Sequence, residues 1–410
     1  MLIGYWRFAR DHPRFLGFGF ALAFLSSPGQ TYFIGVFGPE IQTLFDLDSG
    51  SWGRIYMMGT LLSAVVITWS GSLIDRMDLR LFTVLSLLGL ICACLVIGSV
   101  ASTAMLVLAI FMLRQFGQGL ISHAGITSMA RYHAEHRGKA IALAAIGFSL
   151  GEALLPLMAV YSIRIWGWRE TYLGTAVFVS LAIPVVLWLL KGHAARHASL
   201  LENLNSPVSE ARQSSSYTRR QMLSEPLFYL LLPAMIAPSM IMTAMFFFPA
   251  EIARAKGWSS IWVTGNYWTY SIATVMTIIY SGVLVDRFSA RRVVPPFLLP
   301  LAAALASLTI SDQQFLVWPF MLLMGISSGL YFTGLSALWA ELYGVRHLGA
   351  IKSLTNAVMV FSSALGPALV GYLLVSGMAF EQICLLLAGG CVFATAMLYY
   401  ALHIPKSSRV

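Results

Sequence analysis

Two ionisable side chains, Arg114 and Glu152, lie far inside long apolar stretches of the sequence. Arg114 is nine residues from position 105 and Glu152 is ten residues from position 162, the predicted outer ends of their segments. At a helical rise of 1.5 Å per residue, both lie about 14 to 15 Å from the same boundary, close to the middle of a bilayer. Because a charge at that depth costs several kcal/mol, each residue is a candidate for function.

The chemistry that these two residues could perform has two interpretations. In one, the planar guanidinium of Arg114 binds a substrate carboxylate while Glu152 holds or releases a coupling proton. In the other, they form a permanent ion pair that neutralises both charges and fixes helix packing. Gln118 follows Arg114 by one helical turn, so it could bind the same ligand or make a helix–helix hydrogen bond.

A second group of polar candidates interrupts the first apolar stretch. Residues 26–30 read SSPGQ, and Tyr32 follows. Broken helices at membrane depth are tolerated where they line a cavity, so Gln30 and Tyr32 are predicted to contact substrate; the alternative is a tightly packed Pro/Gly bend. In the second half of the chain, substrate contact or simple packing is expected of Tyr267, Tyr270, Tyr331 and Asn356.

The composition shows what must position these residues. The chain has 410 residues, 58% hydrophobic and only 10% charged, against roughly 25% charged in a soluble domain. This excludes a cytosolic enzyme, an extracellular disulfide scaffold and a disordered chain, and it indicates a membrane protein. The formal charge of +9 is spread between apolar runs rather than clustered, which argues against a nucleic-acid partner.

The apolar segments number six and six. They are continuously apolar, unlike barrel strands, so an all-α membrane protein of twelve transmembrane helices in two six-helix bundles is predicted. The segments lie at 15–37, 52–74, 80–101, 105–130, 138–162, 168–190, 226–250, 260–284, 292–311, 314–340, 350–376 and 380–403. The predicted domains are 1–190 and 226–410, joined by a cytoplasmic linker at 191–225.

Basic residues predict the orientation. If the N-terminus is cytoplasmic, Arg114 lies within a span and 20 of the 26 Lys and Arg residues lie inside. Only five then lie outside: Arg54, Arg164, Arg169, Arg254 and Lys256. This bias predicts cytoplasmic N- and C-termini in the cell membrane, with the first apolar run retained as a span rather than cleaved as a signal peptide.

An internal repeat relates the two halves. Residues 71–80 read GSLIDRMDLR, and residues 282–291, 211 positions later, read GVLVDRFSAR. The same offset relates Pro156 to Pro367. Both motifs follow the second helix of their half, so the halves share one topology, and parallel repeats of this kind are expected to bind substrate between them near the midplane.

The repeated motif is predicted to act mechanically. Its glycines could permit close helix contact, its aspartates could lie near a helix N-terminus, and its arginines could complete a charge network present in one conformational state. Cytoplasmic topology alone would explain the arginines but not the repeated Gly and Asp. The predicted gating residues are Gly71, Asp75, Arg76, Arg80, Gly282, Asp286, Arg287 and Arg291.

With these motifs the chain resembles the major facilitator superfamily of secondary transporters over its whole length. The two copies of 71–80 and 282–291 are similar to that superfamily's loop signature, and LRQFGQG at 113–119 is similar to the fourth-helix pattern of many proton-coupled members. The resemblance implies the major facilitator fold and alternating access.

A finer resemblance starts at Tyr132, where YHAEHRGKAIALAAIGFSLG is similar to the fifth-helix signature of monocarboxylate transporters, with bacterial oxalate–formate exchangers nearby. The first-helix signature and lysine of the animal carriers are missing, as is the Asp/Arg pair of their eighth helix. The eleventh segment also lacks a mid-membrane lysine, because Lys352 lies near its cytoplasmic end.

The predicted function is therefore secondary transport of a small mono- or dicarboxylate, coupled to protons or to a counter-anion. The alternative is proton-driven efflux of lipophilic or drug-like compounds, which a sparse aromatic cavity would favour. A membrane enzyme would need a catalytic constellation at membrane depth, and none is found. No cofactor or metal is expected, and the protein is expected to act as a monomer.

Overall fold

The computed structural model describes residues 2–133, 136–193, 217–344 and 348–403. Every regular element in these ranges is helical. The helices of the first half are α1 (Leu2–Asp11), α2 (Pro13–Leu25), α3 (Thr31–Ile34), α4 (Gly38–Phe45), α5 (Ser49–Ser70), α6 (Leu79–Gly98), α7 (Thr103–Met112), α8 (Ser122–Tyr132), α9 (Arg137–Trp166) and α10 (Trp168–Leu189). A nine-residue π-helix, Leu113–Ile121, joins α7 to α8.

The second half begins with a short helix in the predicted linker. Thr218 and Gln221 form a capping box at its start. The helices are α11 (Arg219–Ser224), α12 (Pro226–Phe247), α13 (Pro249–Lys256), α14 (Ser260–Gly265), α15 (Tyr267–Phe288), α16 (Ala290–Val293), α17 (Leu299–Ser307), α18 (Val317–Tyr343), α19 (Leu348–Val375) and α20 (Phe380–His403). Most of the predicted linker, residues 194–216, lies outside the described ranges.

Ten described helical stretches are long and apolar enough to cross a membrane, and the number is eleven if the pair Pro13–Gly29 and Thr31–Phe45, bent by 42°, is counted as one broken span. The ninth predicted segment, 292–311, is not one continuous helix. Pro295 and Pro296 separate α16 from α17 by a 3₁₀ turn at Pro295–Leu298, because proline lacks the amide hydrogen that a helix interior requires, whereas Pro300 lies in the first turn of α17. The helices fit a twelve-segment arrangement, as the sequence predicts.

The helices group into two compact units, Met1–Asp46 with Met58–Ala211, and Leu47–Met57 with Arg212–Val410. In the first unit α2 packs on α9 and α8, and α6 packs on α10. In the second unit α15 packs on α18, and α12 packs on α19 and α20. The first turns of α5 group with the second unit, so this helix belongs to both units.

Candidate functional site

The predicted interruption of the first span is present. Helix α2 ends at Leu25, residues 27–29 form one 3₁₀ turn, and Gln30 is extended before α3 begins. The hydroxyl of Ser26 donates to the Ala23 carbonyl at 2.7 Å, and that of Ser27 donates to the Phe24 carbonyl at 2.6 Å. These bonds satisfy carbonyl oxygens near the end of α2, so the chain can leave the helix inside the membrane.

The π-helix packs directly against this break. A Cβ atom added to Gly29 would overlap the Leu113 carbonyl oxygen and lie 2.6 Å from the Gln118 nitrogen. A Cβ atom added to Gly117 would lie 2.7 Å from the Gly29 Cα. Only glycine fits on both sides of the contact, and π-helical turns are frequent at functional sites.

Arg114, the second residue of the π-helix, is buried with 1% exposure. Its Nη1 donates to the Gly29 carbonyl at 3.2 Å and to the Thr31 hydroxyl at 3.4 Å. The two acceptors lie on either side of Gln30, so the break itself orients the guanidinium. The sequence interpretation missed Thr31, although it lies between two predicted contact residues, Gln30 and Tyr32.

A second buried polar side chain, Gln115, was also missed. Its Nε2 donates to the Ser70 hydroxyl at 2.8 Å, and its Oε1 accepts from the Ser63 hydroxyl at 3.1 Å. Gln115 therefore joins the π-helix to α5, while the predicted residue Gln118 is half-buried. Two glutamines three positions apart in an apolar span were the available signal.

Three other predicted residues of the first unit lie near the break. The Gln30 Nε2 donates to the Ser26 hydroxyl at 3.2 Å, and the Tyr32 hydroxyl donates to that of Ser27 at 2.9 Å. Glu152 is half-buried on α9 and follows Gly151, where an added Cβ would overlap the Ser27 Oγ. The structure thus brings Arg114, Gln30 and Tyr32 to one break, with Glu152 on a helix that packs against it.

The predicted residues of the second unit divide into separate places. Tyr267 and Tyr270 pack edge-on against Phe246, with ring centroids 5.0 and 4.8 Å away. The Tyr270 hydroxyl donates to Ser328 at 2.9 Å. Tyr331 stacks on Phe297 and its hydroxyl donates to the Met235 carbonyl at 3.3 Å, while Asn356 is exposed on α19.

The glycines of the repeated loop motif do not make the close contacts that their residue type suggested. A Cβ at Gly282 would have no atom of the described residues within 4 Å, and one at Gly71 would meet only ordinary contacts at 3.6 and 4.0 Å. In the described structure, these two glycines are therefore not sites of tight helix packing. The side chains of Asp75 and Asp286 lie outside the described part of the structure.

The arginines of the motif lie near helix ends, and all but Arg291 are exposed. Arg76 lines a cavity of about 280 Å³ in the first unit, and the Arg80 Nη2 donates to the Leu190 carbonyl at 3.4 Å. Arg287 stacks on the ring of Phe288, with its Cζ 5.2 Å from the centroid, and Arg291 is half-buried in α16.

The second copy of the motif is held by a residue outside it, Glu341 of α18. Its Oε2 accepts from the Ser289 hydroxyl at 2.7 Å and its Oε1 from the Ala290 amide at 2.7 Å. Ser289 has φ 72°, a conformation that is disfavoured for residues with a Cβ. In the first copy, Asp78 is the counterpart of Ser289, 211 positions earlier. Asp78 caps α6 with its own carboxylate, which accepts from the Arg80 amide at 2.8 Å.

A buried cation in the second unit was predicted only as one of five outer residues. The Lys256 side chain is 2% exposed, and its Nζ lies 2.9 Å from an Asp312 oxygen and 2.8 Å from a Glu381 oxygen. Burial alone would lower the pKa of Lys256, but hydrogen bonds to Glu381 and Asp312 outweigh it, so the pKa is raised. The three residues tie together α13, the segment before α18 and the start of α20.

The comparisons with known proteins agree with this architecture. The profile of the Major Facilitator Superfamily matches residues 19–268 and 260–410. Among solved structures, a variant of the nucleoside transporter NupG is similar with a TM-score of 0.73 at 12% identity, covering 94% of this chain and 99% of that one. A bacterial homologue of the human lysosomal transporter Spinster, inward-facing and occupied, has a TM-score of 0.72 at 14% identity, covering 98% of both chains. No curated protein matches by sequence.

The chain belongs to the major facilitator superfamily and has its fold. It is a multi-pass integral membrane protein of a transporter family rather than of an enzyme family, with a small-molecule substrate and the lipid bilayer as its surroundings. At identities of 12 to 14%, the solved structures support the fold alone.

Proposed function

We propose that this protein is a secondary active transporter of a small organic anion, a mono- or dicarboxylate, across the cell membrane by alternating access. The observation that supports it best is the orientation of Arg114 by the Gly29 carbonyl and the Thr31 hydroxyl at a helix break. A guanidinium has five donors in one plane, so a fork held in place by two acceptors can still present further donors to a carboxylate.

We assign proton coupling to Glu152. Exchange for a counter-anion is the alternative form of coupling. Glu152 is half-buried on a helix that packs against the break, where a protonation change would alter the local charge next to the substrate. Gln30, Tyr32, Gln118, Tyr267, Tyr270, Tyr331 and Asn356 complete the proposed set of contacts. The loop-motif residues are proposed to bias one state of the cycle, with both termini cytoplasmic and the monomer as the working unit.

A second candidate is proton-driven efflux of lipophilic or drug-like compounds. The aromatic group formed by Phe246, Tyr267 and Tyr270 favours it, because aromatic rings bind apolar and aromatic solutes without a charge requirement. The substrates of the similar structures, nucleosides among them, belong to those proteins and select neither candidate.

The test is uptake of a panel of carboxylates by proteoliposomes, with and without a proton gradient. We expect saturable carboxylate flux in the unmodified protein and a loss of about 100-fold in Arg114→Gln, as for a charge-assisted contact of about 3 kcal/mol. Arg169→Gln is the matched control, since Arg169 also donates to backbone carbonyls, those of Gly98 and Val100 at the end of α6, and not to those of the break. It should retain flux per folded molecule.

Three outcomes separate the interpretations. Retained carboxylate flux in Arg114→Gln would remove Arg114 from the binding site. Dye efflux without carboxylate flux would favour the second candidate. If Arg114→Gln with Glu152→Gln restores folding but not flux, the two charges act in transport rather than only in packing.

A further inference from the structure

The first unit contains a second cavity, separate from the contacts of Arg114. It has a volume of about 310 Å³ and lies between the broken first span, α9 and α10. Its wall is mostly apolar and includes Phe24, Pro28 and Phe33 from the first span, Met158 from α9 and Phe178 from α10. The volume is at the lower end of the range of about 300 to 1,000 Å³ for small-molecule sites, so it fits a single chain or ring.

The cavity opens toward the surface that contacts lipid. Met158 and Trp166, both in its wall, are 60% and 66% exposed, and Phe178 is 46% exposed. In a chain that spans a membrane, large apolar side chains exposed along the spans face acyl chains. An occupant of this cavity would therefore enter from the bilayer rather than from water.

The polar side chains of the wall are Ser162 of α9 and Glu170, Thr171 and Thr175 of α10. The Thr171 hydroxyl donates to the Gly167 carbonyl at 2.7 Å, and the Thr175 hydroxyl donates to the Thr171 carbonyl at 2.8 Å. These protons are used by the helix backbone. The exposed carboxylate of Glu170, in the first turn of α10, is the charged group of the wall.

The neighbouring cation, Arg169, binds groups other than Glu170. Arg169 donates through Nη1 to the Gly98 carbonyl at 2.9 Å and through Nη2 to the Val100 carbonyl at 2.8 Å. Its Cζ also lies 4.6 Å from the centroid of Trp168. Within the ranges that the structure describes, no ion pair includes Glu170. A positive charge opposite Glu170 would have to come from the occupant.

We propose that this cavity binds a lipophilic ammonium compound, with its apolar chain among Phe24, Met158 and Phe178 and its cationic head at Glu170. Trp166 and Trp168 flank the charged end, as expected at a membrane interface where an amphiphile places its head. The site is separate from the substrate contact proposed above, because the two acceptors of Arg114, Gly29 and Thr31, are not among its lining residues.

The test uses a dodecyl ammonium probe with a photoactivatable group on its chain, and the full-length protein in nanodiscs of zwitterionic lipid. Two probes with the same chain, one with a neutral hydroxyl head and one with an anionic sulfate head, are run in parallel. We expect saturable labelling by the ammonium probe in the peptide that covers residues 155–179, and weaker labelling by the other two.

Two variants locate the site. Gly174 lines the cavity and an added Cβ there would meet open space, so Gly174→Leu should fill the cavity without a clash and abolish saturable labelling. Gly390→Leu is the matched control, because Gly390 is equally open and lies on α20. Glu170→Gln should weaken ammonium labelling about fivefold and leave hydroxyl-probe labelling unchanged, as for one ion pair near an interface.

The proposal is overturned if Gly174→Leu labels like the unmodified protein. It is equally overturned if the three probes label alike, or if Glu170→Gln does not distinguish them, since the cavity would then be a groove for any acyl chain. Thermal unfolding of each variant in the same nanodiscs shows that lost labelling is not lost fold.

Discussion

The fourth and tenth spans hold equivalent places in the sequence repeat, yet they differ in structure and in chemistry. Gly325 lies 211 positions after Arg114. A Cβ added to Gly325 would be 2.5 Å from the Tyr270 carbonyl oxygen, so α18 packs directly on α15 there. The fourth span is instead π-helical over Leu113–Ile121 and carries a buried guanidinium. One repeat uses the position for close packing and the other for a charge.

The first and seventh spans also differ in structure, because only the first is broken. Helix α12 runs unbroken from Pro226 to Phe247 although Pro233 and Pro238 lie inside it, whereas the first span breaks at Pro28 and Gly29. Proline alone therefore does not decide where a span breaks. The close contact of Gly29 with Gly117 is the feature that the seventh span lacks, and it brings the break against the π-helix.

The largest effect should come from adding one methyl group at this contact. In Gly29→Ala the new Cβ would overlap the backbone of Leu113 and Gln118, which cannot move as a flexible side chain could. We expect transport to be lost and the free energy of unfolding to fall by about 3 kcal/mol, since overpacking of this kind costs about 1 to 3 kcal/mol or more. Flux and thermal unfolding of the same proteoliposome preparation measure both.

The control for that change is Gly174→Ala, where the added Cβ meets open space. It should transport normally and be slightly more stable, because alanine favours a helix over glycine by about 1 kcal/mol. Normal flux in Gly29→Ala would mean that the close approach of the break and the π-helix does not matter for function.

The sequence predicted the interruption of the first span and the deep position of Arg114, but not the contact between them. Arg114, Gln30 and Tyr32 were found because polar residues and SSPGQ interrupt apolar runs, a signal that needs no tertiary information. The π-helix, Thr31 and the Gln115 contacts could not be found, since each depends on which helix lies opposite. The interruption of the ninth segment at Pro295 and Pro296 was missed, because segment hydropathy does not register the local effect of proline on a helix. The close contacts expected at Gly71 and Gly282 are not made in the described structure, and the gating role of these residues stays a prediction.

The two units can also be compared through their buried cations, Arg114 and Lys256. Lys256 lies between two carboxylates, so Lys256→Met should leave Asp312 and Glu381 facing each other and lower the free energy of unfolding by about 1 to 3 kcal/mol, reduced by their partial exposure. Its substrate KM should not change, whereas Arg114→Gln should lose flux with a smaller loss of stability. Thermal unfolding and uptake kinetics of both variants separate the two roles.

The pH dependence of the Lys256 contribution follows from its raised pKa. A lysine whose pKa is higher in the folded than in the unfolded protein stabilises the fold below the unfolded value of 10.5 and loses that effect as the pH rises through the folded value. The difference in stability between the unmodified protein and Lys256→Met should therefore be constant from pH 7 to about 9. A difference that disappears within that window would contradict the raised pKa.

A smaller effect is expected at the two copies of the loop motif. Glu341→Gln weakens the bonds to Ser289 and Ala290, and we expect a loss of about 1 kcal/mol, as for a helix cap with a negative charge. Asp78→Asn should lose less, because asparagine caps helices about as well as aspartate. Equal losses in thermal unfolding would show that the second copy does not depend on a residue from another helix.

The smallest effect should distinguish the hydroxyl groups that face the fourth and tenth spans. Ser63 donates to Oε1 of the buried Gln115 at 3.1 Å, and its equivalent 211 positions later, Thr274, donates to the Gly325 carbonyl at 3.3 Å. Ser63→Ala removes a partner from a buried amide and should lower the free energy of unfolding by about 1 kcal/mol, whereas Thr274→Val leaves a carbonyl within the bonded interior of α18 and should cost about 0.5 kcal/mol or less. Denaturation of both variants in the same detergent measures the difference. If Thr274→Val proved the more costly, the polar contacts of the tenth span would matter as much as those of the fourth, and the division of roles between the repeats would fail at this position.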